Sequence, residues 1–241
     1  AGTKAGNFFH EVFENIDFSA DDFKEIISRL LPVHGLHKSN QETAEEIVTS
    51  TLQANLDKHQ GESLRLCELT HKDRIEEMEF HLLSPDFDFQ ELGHSLLKVE
   101  PGNSFAEYLM DKKVQPEKTS ELQYFKGFID LTFKYDQKFF ILDWKSNLLE
   151  GNQDAFSSPK LFHEMKEADY LLQYHLYTLA LHRFLSQSNT SGYDYDQSFG
   201  GVYYLFIRGM CQGNSPDDGI FVDRPSKSII KAMDHFLALQ K

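Results

Sequence analysis

Gly127 to Ser146 reads GFIDLTFKYDQKFFILDWKS. Two alternating runs flank a polar break at Tyr135-Asp136-Gln137-Lys138, the signal of a β-hairpin. A two-residue turn at Asp136-Gln137 sets the pairing: Asp130 faces Asp143, Phe128 faces Lys145 and Thr132 faces Ile141. Side chains alternate along a strand, so Asp130, Asp143 and Lys145 share one face. Ile129, Leu131, Phe133, Phe140, Leu142 and Trp144 take the other. Two carboxylates opposed across a ladder stand roughly 5 Å apart at Cβ and repel. A divalent cation between them is the simplest reason for such a pair to exist.

Around this hairpin the chain of 241 residues has room for one large domain, or a domain with a helical extension, and for a core that needs no covalent staples. Cys67 and Cys211 are far apart and read as two separate core thiols of a reducing compartment. No apolar run approaches the roughly 18 residues of a membrane span and no signal peptide opens the chain, so a soluble, cytoplasmic protein is expected. Lys plus Arg number 24 against 38 Asp plus Glu, a net charge of −14. That is the wrong sign for a protein that captures nucleic acid unaided.

Upstream, Asn7 to Ile16 carries Phe9, Val12, Phe13 and Ile16 at helical spacing, with Asn7 a plausible N-cap. His10 and Glu14 fall on a neighbouring stripe, and spacing alone suits a partly buried helix histidine. Asp21 to Leu31 and Gln41 to Leu56 read as amphipathic helices, with Pro32 to Ser39 a loop between them. Glu42, Glu45 and Glu46 form a solvated face. His34 and His37 resemble a loose metal pair that nothing nearby completes. Arg74 to Leu83 alternates as a strand with Ile75, Glu77, Glu79 and His81 on one side. Ser84 to Gln123 is the least informative stretch, with one helix expected at Ser104 to Asp111.

Downstream, Leu148 to Pro159 is a loop. Lys160 to Ser186 is a long helical stretch in a charged half and an aromatic half, with an apolar stripe of Leu172, Leu176, Leu179 and Leu185. Gln173 and Tyr177 stand four apart on one face. Gly200 to Arg208 suits a buried central strand, Asp217 to Arg224 a short edge strand, and Ser226 to Leu239 a terminal helix. The order predicts a mixed central β-sheet flanked by helices, an α/β fold with helical N-terminal decoration.

Asp130 followed by Asp143-Trp144-Lys145 resembles the D…(D/E)xK core of the PD-(D/E)xK nucleases. The words GFIDL, LDWKSN, QYHLYTLALHRFL and FGGVYYLFIRG are similar to the RecB branch of that superfamily, nuclease domains of bacterial helicase–nucleases of the exodeoxyribonuclease V type. The likeness runs from GNFFHEVFENIDF to Gly219–Pro225 and is weakest over residues 19–120, a variable and partly helical decoration. It implies a restriction-endonuclease-like core and one nuclease domain over 1–241, a fragment of a longer helicase–nuclease polypeptide. The start AGTKAG, with a candidate active-site helix by Phe8, fits such a fragment.

For the site, the resemblance implies a metal held by His10, Asp130, Asp143 and the Trp144 carbonyl, with Glu77 as an accessory acid and Glu79 as a spare. The catalytic set would be Asp130, Asp143, Lys145 and the pair Gln173 and Tyr177, which would orient Lys145 or hold a DNA phosphate. Mg²⁺ is the expected cation and Mn²⁺ a substitute. Two cysteines cannot build the four-cysteine iron–sulfur cluster of some superfamily members. The implied partners are DNA, fed as single strands by a helicase, and RecC-like and RecD-like subunits, and the implied role is double-strand break repair and recombination. Two other readings were weighed. A one-histidine, two-carboxylate oxygenase departs from the two-histidine iron triad. A catalytically silent module that docks partner subunits suits the acidic charge but leaves Asp130, Asp143 and Lys145 unexplained. No GxxxxGK[ST] loop occurs, so this chain carries no motor of that kind.

Overall fold

A computed structural model describes residues 2–20, 23–56, 63–84, 88–113, 123–149, 154–188, 192–210 and 217–239. Its elements in chain order are α1 (Thr3–Asn15), α2 (Phe23–Val33), α3 (Gln41–Gln53), β1 (Arg74–Ser84), α4 (Phe89–Val99) and α5 (Ser104–Asp111). There follow β2 (Gln123–Tyr135), β3 (Lys138–Lys145), α6 (Ser158–Glu167), α7 (Tyr170–Gln187), α8 (Tyr195–Ser198), β4 (Phe199–Phe206), β5 (Ile220–Asp223) and α9 (Lys227–Leu239). The strands form one mixed sheet of order β1-β2-β3-β4-β5 with helices around it, the expected class.

The hairpin has the register its turn dictates, from Tyr135↔Lys138 to Leu131↔Leu142. Asp136 and Gln137 take φ of 44° and 62°, left-handed at both central positions as a type I′ turn requires. Leu131, Phe133, Phe140, Leu142 and Trp144 all enter one apolar cluster. The opposite face is covered too: Thr132, Ile141 and Asp143 are buried.

Contacts divide the chain into two compact units. The first comprises Ala1–Met78, Ile129–Glu164 and Val202–Asp223. In it α1 lies on the hairpin, with Phe13 stacked on Trp144 at 4.0 Å and 12°. Arg74 ties the end of α1 to β1, its guanidinium 3.5 Å from the Phe18 ring centre and its Nη2 donating to the Ile16 carbonyl at 2.8 Å. Helix α1 begins at Thr3, one turn before the expected Asn7. Ala5 and Phe8 extend its buried stripe, and Gly2 stands at the N-cap with no side-chain cap. Pro32 lies inside the last turn of α2, where it forfeits one backbone donor.

The second unit comprises Glu79–Phe128, Met165–Gly201 and Arg224–Lys241. Its α4 lies in the stretch where the sequence is least informative. Asp88 caps it by accepting from Gln90 N and Glu91 N, and Phe89, Leu92 and Leu96 are buried at helical spacing, while Gly93 breaks the propensity signal. That glycine is needed: a Cβ there would lie 2.9 Å from the Ala106 carbonyl of α5. Helix α5 spans the expected residues. The long helical stretch is two helices, broken at Asp169, whose φ is 60°. Half of the expected leucine stripe is buried: Leu179 and Leu185 are in the core, whereas Leu172 and Leu176 are only partly buried and Leu171, Tyr174, His175, Thr178 and Leu181 widen the buried side. Beyond β5 at the sheet edge, α9 packs on α4 and α7.

Candidate metal centre

Three elements of the first unit converge on one point. His10 comes from α1, Glu77 from β1 and Asp130 from β2, and one ligand atom from each lies within 4.8 Å of the others. Local structure explains each arrival. His10 sits on the flank of a helix whose buried stripe is Phe9, Val12 and Phe13, so its ring is partly exposed and Nδ1 lies 3.4 Å from Asp130 Oδ2. Asp130 is anchored by the backbone: the same Oδ2 accepts the Trp144 N–H at 2.8 Å.

Glu77 reaches the cluster through an irregularity. Thr132 Oγ1 meets Met78 Sδ at 3.7 Å, and Thr132 shares Asp130's side of β2, so Met78 takes the place that strict alternation assigns on that side. Glu77 joins it there because its φ is 49°, a left-handed turn inside a strand that costs a non-glycine residue on the order of 1–3 kcal/mol. The result has the character of a bulge, which re-aims a side chain. Glu79 has another role: it pairs with His81 at 2.7 Å and Lys126 at 3.1 Å.

Asp143 stands apart from the three-residue cluster. It is 1% exposed, and Lys145 Nζ lies 2.5 Å from its Oδ1. The ammonium and the carboxylate form a charge-assisted pair, which offsets part of the cost of burying the carboxylate. Lys145 is itself 11% exposed and its ammonium lies 5.1 Å from the Tyr204 ring centre. Burial first, and then the charge of Asp130, raise the pKa of Asp143. Burial and Asp130 likewise raise Glu77. At His10 burial pulls the pKa down, but the hydrogen bond and charge of Asp130 outweigh it and the net shift is upward.

These shifts describe an acidic cluster short of positive charge. A divalent cation fits the donor set: an imidazole with two carboxylates whose ligand atoms converge, donors that suit Mn²⁺ and, through their oxygens, Mg²⁺.

The remaining candidates fall elsewhere. His34 Nε2 binds Glu11 Oε2 at 2.6 Å, whereas His37 accepts from Ser39 N, so the two histidines do not form a pair. In the second unit Gln173 Nε2 donates to Tyr177 OH at 2.7 Å, and Tyr177 is buried edge-on against Phe80. Cys67 is a half-buried free thiol and Cys211 lies outside the described residues. Two further residues bear on the site: Tyr204, and Arg208, whose Nε donates to the Ser146 carbonyl at 2.9 Å. Both lie in the quoted word FGGVYYLFIRG, but an unbroken apolar run does not say which side chain meets a lysine.

Acids, a lysine and an imidazole gathered at a β-hairpin are groups that suit metal-assisted hydrolysis of phosphate esters. The profile of the PD-(D/E)XK nuclease superfamily matches residues 1–228, and the chain belongs to that superfamily. It is 32% identical over 238 residues to RecBCD enzyme subunit RecB of Escherichia coli, covering 98% of this chain and 19% of the relative. To the subunit of the same name from Haemophilus influenzae it is 34% identical, covering 97% of this chain and 18% of that one. The one from Mycolicibacterium smegmatis is 29% identical over 98% of this chain and 24% of its own length. The chain thus spans about a fifth of the length of the relatives it matches. Among the described residues no helix is long and apolar enough to cross a membrane.

Proposed function

We propose that this chain is a divalent-metal-dependent deoxyribonuclease domain that hydrolyses DNA phosphodiester bonds within a RecBCD-type helicase–nuclease. The observation that carries the reading is the convergence of His10, Glu77 and Asp130 beside the buried Asp143–Lys145 pair.

His10, Glu77 and Asp130 would hold the cation, with Asp143 and the Trp144 carbonyl as further donors. Bound there, Mg²⁺ or Mn²⁺ supplies Lewis acidity, making a water more acidic and offsetting charge on the phosphate oxygens. Asp130 is oriented for this by the Trp144 N–H. Asp143 holds the Lys145 ammonium in a place largely closed to water. Lys145 orients the attacking water and offsets the charge that builds on the phosphate. His10 must be neutral to ligate. Since Asp130 raises its pKa, cation and proton compete there, and affinity for the cation increases with pH. Gln173 and Tyr177, bonded to each other, would take the motif's role of holding a DNA phosphate.

The net charge of −14 supports a substrate that is delivered rather than captured. The helicase part of the polypeptide and RecC-like and RecD-like subunits would feed it single strands in the bacterial cytoplasm, in break repair and recombination.

The test is cleavage of linear single- and double-stranded DNA by the purified chain with Mg²⁺, Mn²⁺ or EDTA, beside Mn²⁺ titration calorimetry. Cleavage that needs the cation, weakens with salt and vanishes in a folded Asp130→Asn variant is expected. No cleavage with either metal at low salt would leave the docking module as the better account.

A further inference from the structure

Strand β4 comes from the word FGGVYYLFIRG, to which the catalytic reading assigns nothing beyond a place in the sheet. Yet two of its groups act on the end of β3. Tyr204, 0% exposed, turns its ring toward the Lys145 ammonium, 5.1 Å from ring centre to Nζ. Just beyond the strand, Arg208 donates from Nε to the carbonyl of Ser146, the residue after Lys145. The lysine is thus bounded on three sides: Asp143 at 2.5 Å, the aromatic face of Tyr204, and a clamped backbone behind it.

Resting on the proposed role of Lys145, we infer that Tyr204 is a positioning residue of the nuclease site, whose ring face holds the Lys145 ammonium at the reacting phosphate. A cation within about 6 Å of a ring centre is attracted by the negative face of the π-system, more strongly when both partners are withdrawn from water. Lys145, 11% exposed, meets that condition. Contact with one Asp143 oxygen sets the distance of the ammonium but not its direction. The ring restricts the direction as well, and an ammonium displaced by about 1 Å loses much of its effect on a transition state. The plain core reading of Tyr204 predicts something different: any apolar side chain of similar size would serve.

Tyr204→Phe keeps the ring and Tyr204→Leu keeps the apolar bulk alone, so the two variants separate these readings. The inference expects kcat for cation-dependent DNA cleavage within about threefold of the parent for Tyr204→Phe, and roughly tenfold or more lower for Tyr204→Leu. KM for DNA and Mn²⁺ affinity by calorimetry should be unchanged in both, since the proposed role of the ring is exerted through Lys145. Equal kcat in the two variants, or a loss carried by KM or Mn²⁺ affinity, would overturn it.

A second measurement does not depend on activity. In protein labelled with ¹³Cε-lysine and assigned against Lys145→Arg, the Lys145 Hε signals of the parent and of Tyr204→Phe should lie upfield, as protons above a ring do. An ordinary shift in the parent refutes the placement even if the leucine variant fails to fold. If the parent shows the upfield shift but cleaves no DNA, the proposed function fails and the ring–lysine contact stands without a catalytic meaning, which also overturns the inference.

Discussion

Two buried ionisable groups, one in each unit, are treated in opposite ways. His175 on α7 is 2% exposed, its Nδ1 bonded to the Leu171 carbonyl at 2.7 Å and its ring stacked on Phe105 at 3.5 Å and 10°. Burial pushes its pKa down to about 3, so it is neutral, with its Nδ1 donor paired inside an aromatic stack. Asp143 on β3 is as deeply buried, but it is paired with the Lys145 ammonium and feels the charge of Asp130. A histidine buried among aromatic rings has been neutralised and its donor paired; a buried carboxylate near a second one has been given a counter-charge. The first pattern lowers the cost of burial, whereas the second keeps a buried charge pair.

The contrast breaks most visibly at the site itself. Asp130→Asn should lower cation-dependent DNA cleavage by at least about a thousandfold, measured on radiolabelled linear DNA, while circular dichroism keeps the parent's shape. Next comes the ion pair. Lys145→Met strips Asp143 of its counter-charge and should cost about 3 kcal/mol of stability in urea unfolding at pH 8. Adding Asp143→Leu should recover most of that loss without recovering cleavage.

His175 carries the pH dependence of the other region. Unfolded, it takes a proton near 6.5; folded, it refuses one until about 3. Its contribution is therefore complete above 6.5 and is lost as pH falls toward 3, at up to ~1.4 kcal/mol per pH unit. His175→Phe should flatten the stability profile between pH 6.5 and 5, read from urea melts at each pH. It should also cost about 1 kcal/mol at pH 7.5 for the bond to Leu171. The smallest effect is at the hairpin turn: Gln137→Gly, at φ 62°, should stabilise by about 0.5–1 kcal/mol and raise the melting temperature with cleavage unchanged.

The fold was legible where its determinants are local. A polar four-residue break between alternating runs specifies a turn, the turn specifies the register, and the observed pairing from Tyr135↔Lys138 to Leu131↔Leu142 follows from chain geometry alone. Strand β4 and helix α5 were legible for the same reason, and α4 could have been read from Asp88 followed by Phe89, Leu92 and Leu96 had Gly93 been weighed as a packing residue. Legibility ended where long-range packing chooses. Alternation sets Glu77 beside Ile75 and Glu79, and a left-handed φ turns it instead toward His10 and Asp130.

The sequence by itself determined the hairpin and which acids and lysine stand on it, because strand periodicity and turn chemistry act over a few residues. Only the tertiary structure decided that Asp130 caps the Trp144 N–H, that Asp143 turns to Lys145, and that His10 and Glu77 arrive from elements 120 and 53 residues before Asp130 in the chain. Rotamers, a bulge and helix docking are set by close packing among distant side chains, and no local pattern encodes them.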